Sequence, residues 1–187
     1  MPDELAQQLQ PLKDLLDKFN INRLELEGYE ADDLIGTVAR LGEENDFKVY
    51  IVTGDKDAIQ LASHKTTTLI TKKGVGEVEE YNYDSVLERY EMTPTQFIDL
   101  KGLMGDKSDN IPGVPGVGEK TGIKLLKQYS TIENLIEHTD ELKGSIKKKI
   151  EENKDLALMS KELATIITNV PIEVKLEDLE YGDYNKD

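Results

Sequence analysis

KGLMGDKSDNIPGVPGVGEKTGIKLLK, running from Lys101 to Lys127, decides how this chain is read. Two carboxylates, Asp106 and Asp109, stand just before a doubled glycine hairpin, GVPGVG (Gly113 to Gly118), and a lysine-bearing helix follows at once. Oxygen ligands without His or Cys suit a hard cation such as Mg2+ or Mn2+. Glycines at 113, 116, 118 and 122 permit positive φ and close backbone approach. The N–H groups at the start of the next helix point outward and favour anions. Lys120, Lys124 and Lys127 fall at i, i+4 and i+7, a face able to track phosphates without reading bases. Metal beside phosphate suggests phosphodiester chemistry. The alternative is an ordinary turn followed by a solvated lysine face. The GxxxxGK[ST] spacing of a P-loop is absent. DKSDN opens like a calcium loop, but Ile111 and Val117 stand where that loop needs Gly and Glu.

Two further acidic groups lie upstream. Glu30, Asp32 and Asp33 begin a predicted helix, where capping and the helix dipole also favour acids. Asp55 and Asp57, in TGDKD, follow the clearest strand, and Asp55 is equally suited to cap a short helix. In an open α/β sheet, ligands bind beyond the carboxyl ends of strands, which is where Asp55 and Asp57 fall. Two ions about 4 Å apart can activate a water and stabilise a leaving oxygen. TGDKDAI is only a weak match to the DxDx[TV] phosphatase signature, because Ile59 takes the Thr/Val position. His64 and His138 lack neighbours at ligand spacing and read as structural.

The apolar pattern predicts helices over 3–19 and 30–44, strands over 23–26, 47–53, 66–71 and 76–81, and a short helix over 56–62. Gly74 reads as the turn of a hairpin. Helices follow over 84–91, 94–104, 119–128, 131–138 and 143–160. Strands alternating with helices suggest a parallel α/β sheet. The expected organisation is an α/β part over 1–83, a helical part over 84–170 and an acidic tail over 171–187.

The chain has 187 residues, 37% of them hydrophobic, with no Trp and three Phe, so its core is expected to be aliphatic. Zero cysteines exclude disulfides and thiolate metal sites and fit a reducing cytosol. No run approaches the ~20 apolar residues of a membrane helix. The net charge of −15 argues against nucleic acid when taken alone. Distribution matters more than the sum. Lysines gather at 72–73, at 120, 124 and 127, and at 143 and 147–149, while carboxylates that hold metals inflate the negative count. Lys147, Lys148 and Lys149 read as a solvated face.

Three motifs, GYEADDLIGTVA (28–39), VTGDKDAIQL (52–61) and LMGDKSDNIPGVPGVGEKTGIKLL (103–126), together resemble the 5′-nuclease (flap endonuclease) superfamily. Within it they are most similar to the 5′-3′ exonuclease domain that precedes a bacterial DNA polymerase. The resemblance implies a PIN-like, parallel-sheet α/β core followed by a helical, helix-hairpin-helix-like subdomain. It implies that Glu30 and Asp32 hold a first metal, with Asp33 in support, and that Asp55, Asp57, Asp106 and Asp109 hold a second. Asp55, Asp57 and Asp106 would be the catalytic carboxylates. Gly113, Val114, Gly116, Val117, Gly118, Lys120, Thr121 and Lys124 would hold duplex DNA, with K+ at the hairpin carbonyls. The implied reaction is metal-dependent hydrolysis at a 5′ end or flap, in the bacterial cytoplasm at the nucleoid, with no membrane partner.

Family members begin with an Asp-bearing strand and a basic helical arch, whereas this chain opens on the helix that follows them. The expectation is therefore a core incomplete at its N-terminus, little catalysis by the chain alone and a covalent continuation into a polymerase region. The rival readings are a DNA-binding module without catalysis, a stand-alone nuclease-like protein and a Mg2+ phosphatase.

Overall fold

The computed structural model describes residues 2–72 and 76–182. Gly74 and Lys73, and the end of the tail beyond 182, lie outside the described residues.

Helix α1 (Asp3–Lys18) is followed by α2 (Ala31–Glu44), β1 (Val49–Thr53), a 3-10 helix (Lys56–Leu61), β2 (Thr66–Thr71) and β3 (Val78–Tyr81). The strands form a sheet in the order β1-β2-β3. β1 and β2 are parallel, with Val49 opposite Thr66 and Thr53 opposite Ile70. β3 returns antiparallel to β2, with Thr68 opposite Tyr81. The expected parallel sheet is thus a parallel pair with an antiparallel third strand, because β2 and β3 are too close in sequence for a crossover.

Residues 23–26 form no strand. Their charged side chains are tied back towards α1 instead: Arg23 meets Asp17 at 2.9 Å and Glu25 at 3.0 Å, and Lys13 meets Glu25 at 2.7 Å. α1 is amphipathic as expected, yet none of its residues is buried.

The second half contains α3 (Tyr83–Tyr90), α4 (Gln96–Met104), α5 (Glu119–Tyr129), α6 (Ile132–Glu137), α7 (Gly144–Glu152) and α8 (Lys154–Ala164). The long helix expected over 143–160 is two helices. Asn153, at φ −127°, ends α7 and starts α8, with its side-chain amide donating to the Lys149 carbonyl at 2.8 Å. The break redirects α8 onto α4 and α6. α4 and α8 approach so closely that a Cβ on Gly102 would lie 3.0 Å from the Lys161 Cβ. The aliphatic core expected from composition lies here, built from Leu103, Leu126, Ile132, Leu135 and Ile150. Smaller clusters sit under the sheet, one around Ile59, Ile70 and Tyr81 and another around Ala39, Ile51 and Ala58.

After α8 the chain returns to the sheet half. Gln60 accepts from the Ile166 N–H and donates to the Ala164 carbonyl, each at 3.0 Å. Arg40 donates to the Thr168 carbonyl at 2.7 Å, and the Val170 N–H donates to Thr37 Oγ1 at 3.1 Å. This clasp joins the halves, and Tyr90 and Phe97 pack against both the helical core and the cluster under the sheet. No helix among the described residues is long and apolar enough to cross a membrane.

Candidate functional site

The carboxylates meet at the seam between the halves. β1 ends at Thr53, whose Oγ1 accepts from the Asp55 N–H at 3.0 Å; Asp55 in turn caps the 3-10 helix by accepting from the Asp57 N–H at 2.9 Å. This Asx-type turn sets Asp57 facing α4. From the other side, α4 ends at Gly105, where φ of +72° reverses the chain. The Asp106 N–H then donates to the Ile111 carbonyl at 2.8 Å, and the Ile111 N–H returns the bond at the same distance. A tight loop results, with Asp106 and Asp109 on its rim.

One oxygen from each of Asp57, Asp106 and Asp109 lies within 4.8 Å of the others, the one such acidic group among the described residues. The donor set is all oxygen, and the spacing matches ligands around a single hard cation. The residues present therefore fit a divalent ion. Lys101, one turn before the end of α4, reaches between them. Its Nζ lies 2.8 Å from Asp109 and 3.1 Å from Asp106, and it hydrogen-bonds Asp57 directly.

Burial would lower the Lys101 ammonium, but bonds to Asp109, Asp57 and Asp106 overcome it and hold the group well above its ordinary range. Asp106 is pulled down to about 2, first by its hydrogen bond from Ser108 and then by Lys101, against the opposing effect of burial. Burial pushes Asp57 up, and Lys101 offsets that only in part.

Asp32 is half-buried at the start of α2. Its carboxyl is pushed up by burial and then by the neighbouring charges of Asp55 and Asp57. Those charges place Asp32 in the same acidic field as the seam, although it is not within the close cluster. Glu30 and Asp55 are exposed beside it. Asp33 has a different occupation: one oxygen accepts from the Glu30 N–H at 3.2 Å and the other from the Ile167 N–H at 2.8 Å. It fastens α2 and the returning segment.

The hairpin is built on close backbone contact. Gly113 has φ +61°, and a Cβ there would lie 2.2 Å from the Gly105 nitrogen. Its N–H donates to Ser160 Oγ at 3.0 Å. Val114 and Val117 turn their side chains into the helical core, and their N–H groups donate to the Leu103 and Val114 carbonyls. Gly116, Gly118, Lys120, Thr121 and Lys124 lie exposed along the hairpin and the start of α5. Lys127 is paired to Glu91 at 2.7 Å.

Sequence reasoning passed over Lys101 and read Lys149 as part of a solvated face, whereas it reaches the hairpin. Lys149 donates to the Gly116 carbonyl at 2.9 Å, while Lys147 and Lys148 pair with Glu151 and Glu152 along α7. A lysine in the last turn of a helix that leads straight into two aspartates was the available signal for Lys101. His138 Nδ1 bonds the Asn134 carbonyl at 2.9 Å, and the His64 ring lies tilted against Tyr83 with the centroids 4.3 Å apart.

The family model described as the 5′-3′ exonuclease N-terminal resolvase-like domain matches residues 1–91, and that described as the 5′-3′ exonuclease C-terminal SAM fold matches residues 92–187. Over all of its 187 residues the chain is 57% identical to DNA polymerase I of Bacillus subtilis, spanning 21% of that protein. It is 51% identical over 180 residues to DNA polymerase I of Lactococcus lactis, covering 95% of this chain and 20% of that protein. The chain thus spans about a fifth of the length of these curated relatives. Among solved structures, T5 5′-exonuclease with bound zinc superposes with a TM-score of 0.72 at 24% identity, covering 90% of this chain and 63% of that one. The catalytic core of Rad2 in complex with a DNA substrate superposes with a TM-score of 0.62 at 19% identity, covering 96% and 61%. These superpositions establish a shared fold.

Proposed function

This chain belongs to the 5′-3′ exonuclease family, and on that premise we propose that its seam carboxylates hold Mg2+ or Mn2+ for hydrolysis of phosphodiesters at 5′ ends or flaps of DNA. The observation that carries the reading is the convergence of Asp57 from the sheet half with Asp106 and Asp109 from the helical half.

Asp57, Asp106 and Asp109, with Asp55 beside them, hold the second metal, while Glu30 and Asp32 hold the first. Asp33 supports the set through the backbone of α2. When bound, the ions supply an activated water and charge stabilisation at the leaving oxygen. Asp55, Asp57 and Asp106 position that chemistry, and no side chain is needed as a nucleophile.

Duplex DNA lies along Gly116, Gly118, Lys120, Thr121 and Lys124. The exposed N–H groups opening α5 and the two lysines meet phosphates, and base identity plays little part. The contributions of Gly113, Val114 and Val117 are to shape the hairpin, and a K+ at its carbonyls would sit beside the DNA. The setting is the bacterial cytoplasm, at the nucleoid, with the chain leading into a polymerase region as in its relatives.

In the complete domain, Asp106→Asn should abolish cleavage of a 5′-labelled flap duplex in Mn2+ while leaving duplex binding intact. Unchanged cleavage would remove Asp106 from the metal site. Lys120→Glu with Lys124→Glu should weaken duplex binding and flatten its salt dependence. Full binding in that double variant would overturn the hairpin assignment.

A further inference from the structure

We propose that Lys101 is a resident counter-cation that fills the second metal position and must leave it for a divalent ion to bind. This inference rests on the metal reading above and concerns what the site does before metal arrives.

Three carboxylates within 4.8 Å of one another repel strongly unless a cation sits among them. An ammonium offers three N–H donors and no acceptor. Lys101 has one carboxylate partner for each donor: Asp57, Asp106 at 3.1 Å and Asp109 at 2.8 Å. Its hydrogen-bonding capacity is therefore filled by the same oxygens that a metal would take. The side chain is only 12% exposed, so the charge is held within the cluster and not merely adjacent to it.

A divalent ion binding all three carboxylates needs oxygens at about 2.0–2.6 Å. Such an ion would lie within a bond length or two of the present Nζ. A unit charge and a double charge that close repel, and the carboxylate lone pairs now directed at Nζ are the ones the ion requires. Both cations do not fit. The four-carbon stem of lysine supplies the freedom to swing out, whereas the Asp106 carboxylate is held by the Ser108 N–H at 2.8 Å. Asp55 and Asp57 are set by the Asx-type turn and Asp106 by the paired bonds to Ile111, which hold whichever cation is present.

Lys161 provides an internal contrast. It also joins two carboxylates, Asp99 at 2.7 Å and Glu133 at 2.8 Å. Asp99 is committed to the Ile132 N–H at 2.8 Å and is buried, so this pair is not a metal cluster. Metal should displace Lys101 and leave Lys161 where it is.

The test uses the wild-type chain first. Mg2+ is titrated by calorimetry, and the lysines are labelled with an amine-reactive reagent with and without saturating Mg2+, the labelled sites being read by peptide mass spectrometry. The expected result is a several-fold rise in the labelling rate of Lys101 on metal binding, with Lys161 unchanged. Metal binding that leaves Lys101 unchanged or protects it would overturn the proposal while leaving the metal site intact. No Mg2+ binding at all would overturn the metal reading itself, and this inference with it. A second variant gives an independent readout. Lys101→Met should bind Mn2+ about tenfold more tightly by electron paramagnetic resonance, in keeping with removal of one nearby unit charge. Equal or weaker Mn2+ binding in folded Lys101→Met would also overturn it.

Discussion

In the helical half, Leu103, Leu126, Ile132 and Leu135 are fully buried around α4; in the sheet half, α1 buries nothing and Tyr50 and Val52 of β1 are 53% and 63% exposed. Both halves have the same kind of sequence, aliphatic residues at regular spacing. They differ in how many neighbours each element finds. α4 packs on α5, α6 and α8, whereas β1 pairs on one side alone among the described residues. The groove between α2 and the open edge of β1, floored by Leu34, Ile35 and Val38, is correspondingly apolar and accessible. The site takes one carboxylate from the loosely covered half and two from the tightly packed one, with Lys101 joining them.

The tight packing of the helical half is most exposed to change at Asp99. Asp99→Ala leaves Lys161 half-buried beside Glu133 alone and strands the Ile132 N–H, and should destabilise the chain by about 3–5 kcal/mol in urea unfolding. A loss below about 1 kcal/mol would mean that the helical core does not depend on this pair.

Gly113→Ala comes next. It combines positive φ with a Cβ 2.2 Å from the Gly105 nitrogen, and about 2–4 kcal/mol should be lost, together with duplex binding. Wild-type stability in Gly113→Ala would show that the Gly105–Gly113 contact is not close in solution.

The seam should respond to acid with a definite sign. Asp106, held at about 2 in the folded chain, contributes stability that is fully present above its ordinary unfolded value of roughly 3.9 and is lost as pH falls towards 2. Asp57 acts in the opposite sense: its raised folded value disfavours the charged form, so its contribution improves as pH falls. The stability difference between wild type and Asp106→Asn should therefore stay flat from pH 7 to about 5 and shrink below about 4. A difference that shrinks between pH 7 and 5 would contradict the depressed value.

The smallest effect is expected at Leu9→Ala on α1. Leu9 is 42% exposed and packs into no core, so the change should stay within about 0.5 kcal/mol. A loss above about 2 kcal/mol would show that α1 is covered in solution.

Much of this contrast was legible in the sequence. β-branched VYIVT, ended by Gly54, marked β1, and GDKSDN before a glycine hairpin marked the seam loop. Helices α2, α3, α4 and α5 followed from 3.6-residue spacing. What escaped depends on tertiary partners. RLEL alternates like a strand, yet no strand pairs with it in the structure, and local charges tie it elsewhere. The break at Asn153 is hidden from periodicity because Ile146, Ile150 and Ala157 keep helical spacing across the polar stretch EENKD (151–155). It is set by the packing of α8 on α4. Asp33 looked like its acidic neighbours, and the long-range half of its role, the bond from the Ile167 N–H, comes from a segment 134 residues away. Lys101 reads as an ordinary surface lysine until Asp57, 44 residues earlier, is brought beside it.

Mn2+ binding to wild type, Asp57→Asn, Asp109→Asn and the double variant asks whether the two halves share one ion. Each single change should weaken the seam site by on the order of tenfold or more, and the double variant should be much less than the product of the two, as expected for ligands of one ion. Fully additive losses, or an Asp57→Asn variant that binds like wild type, would contradict a metal centre shared across the seam.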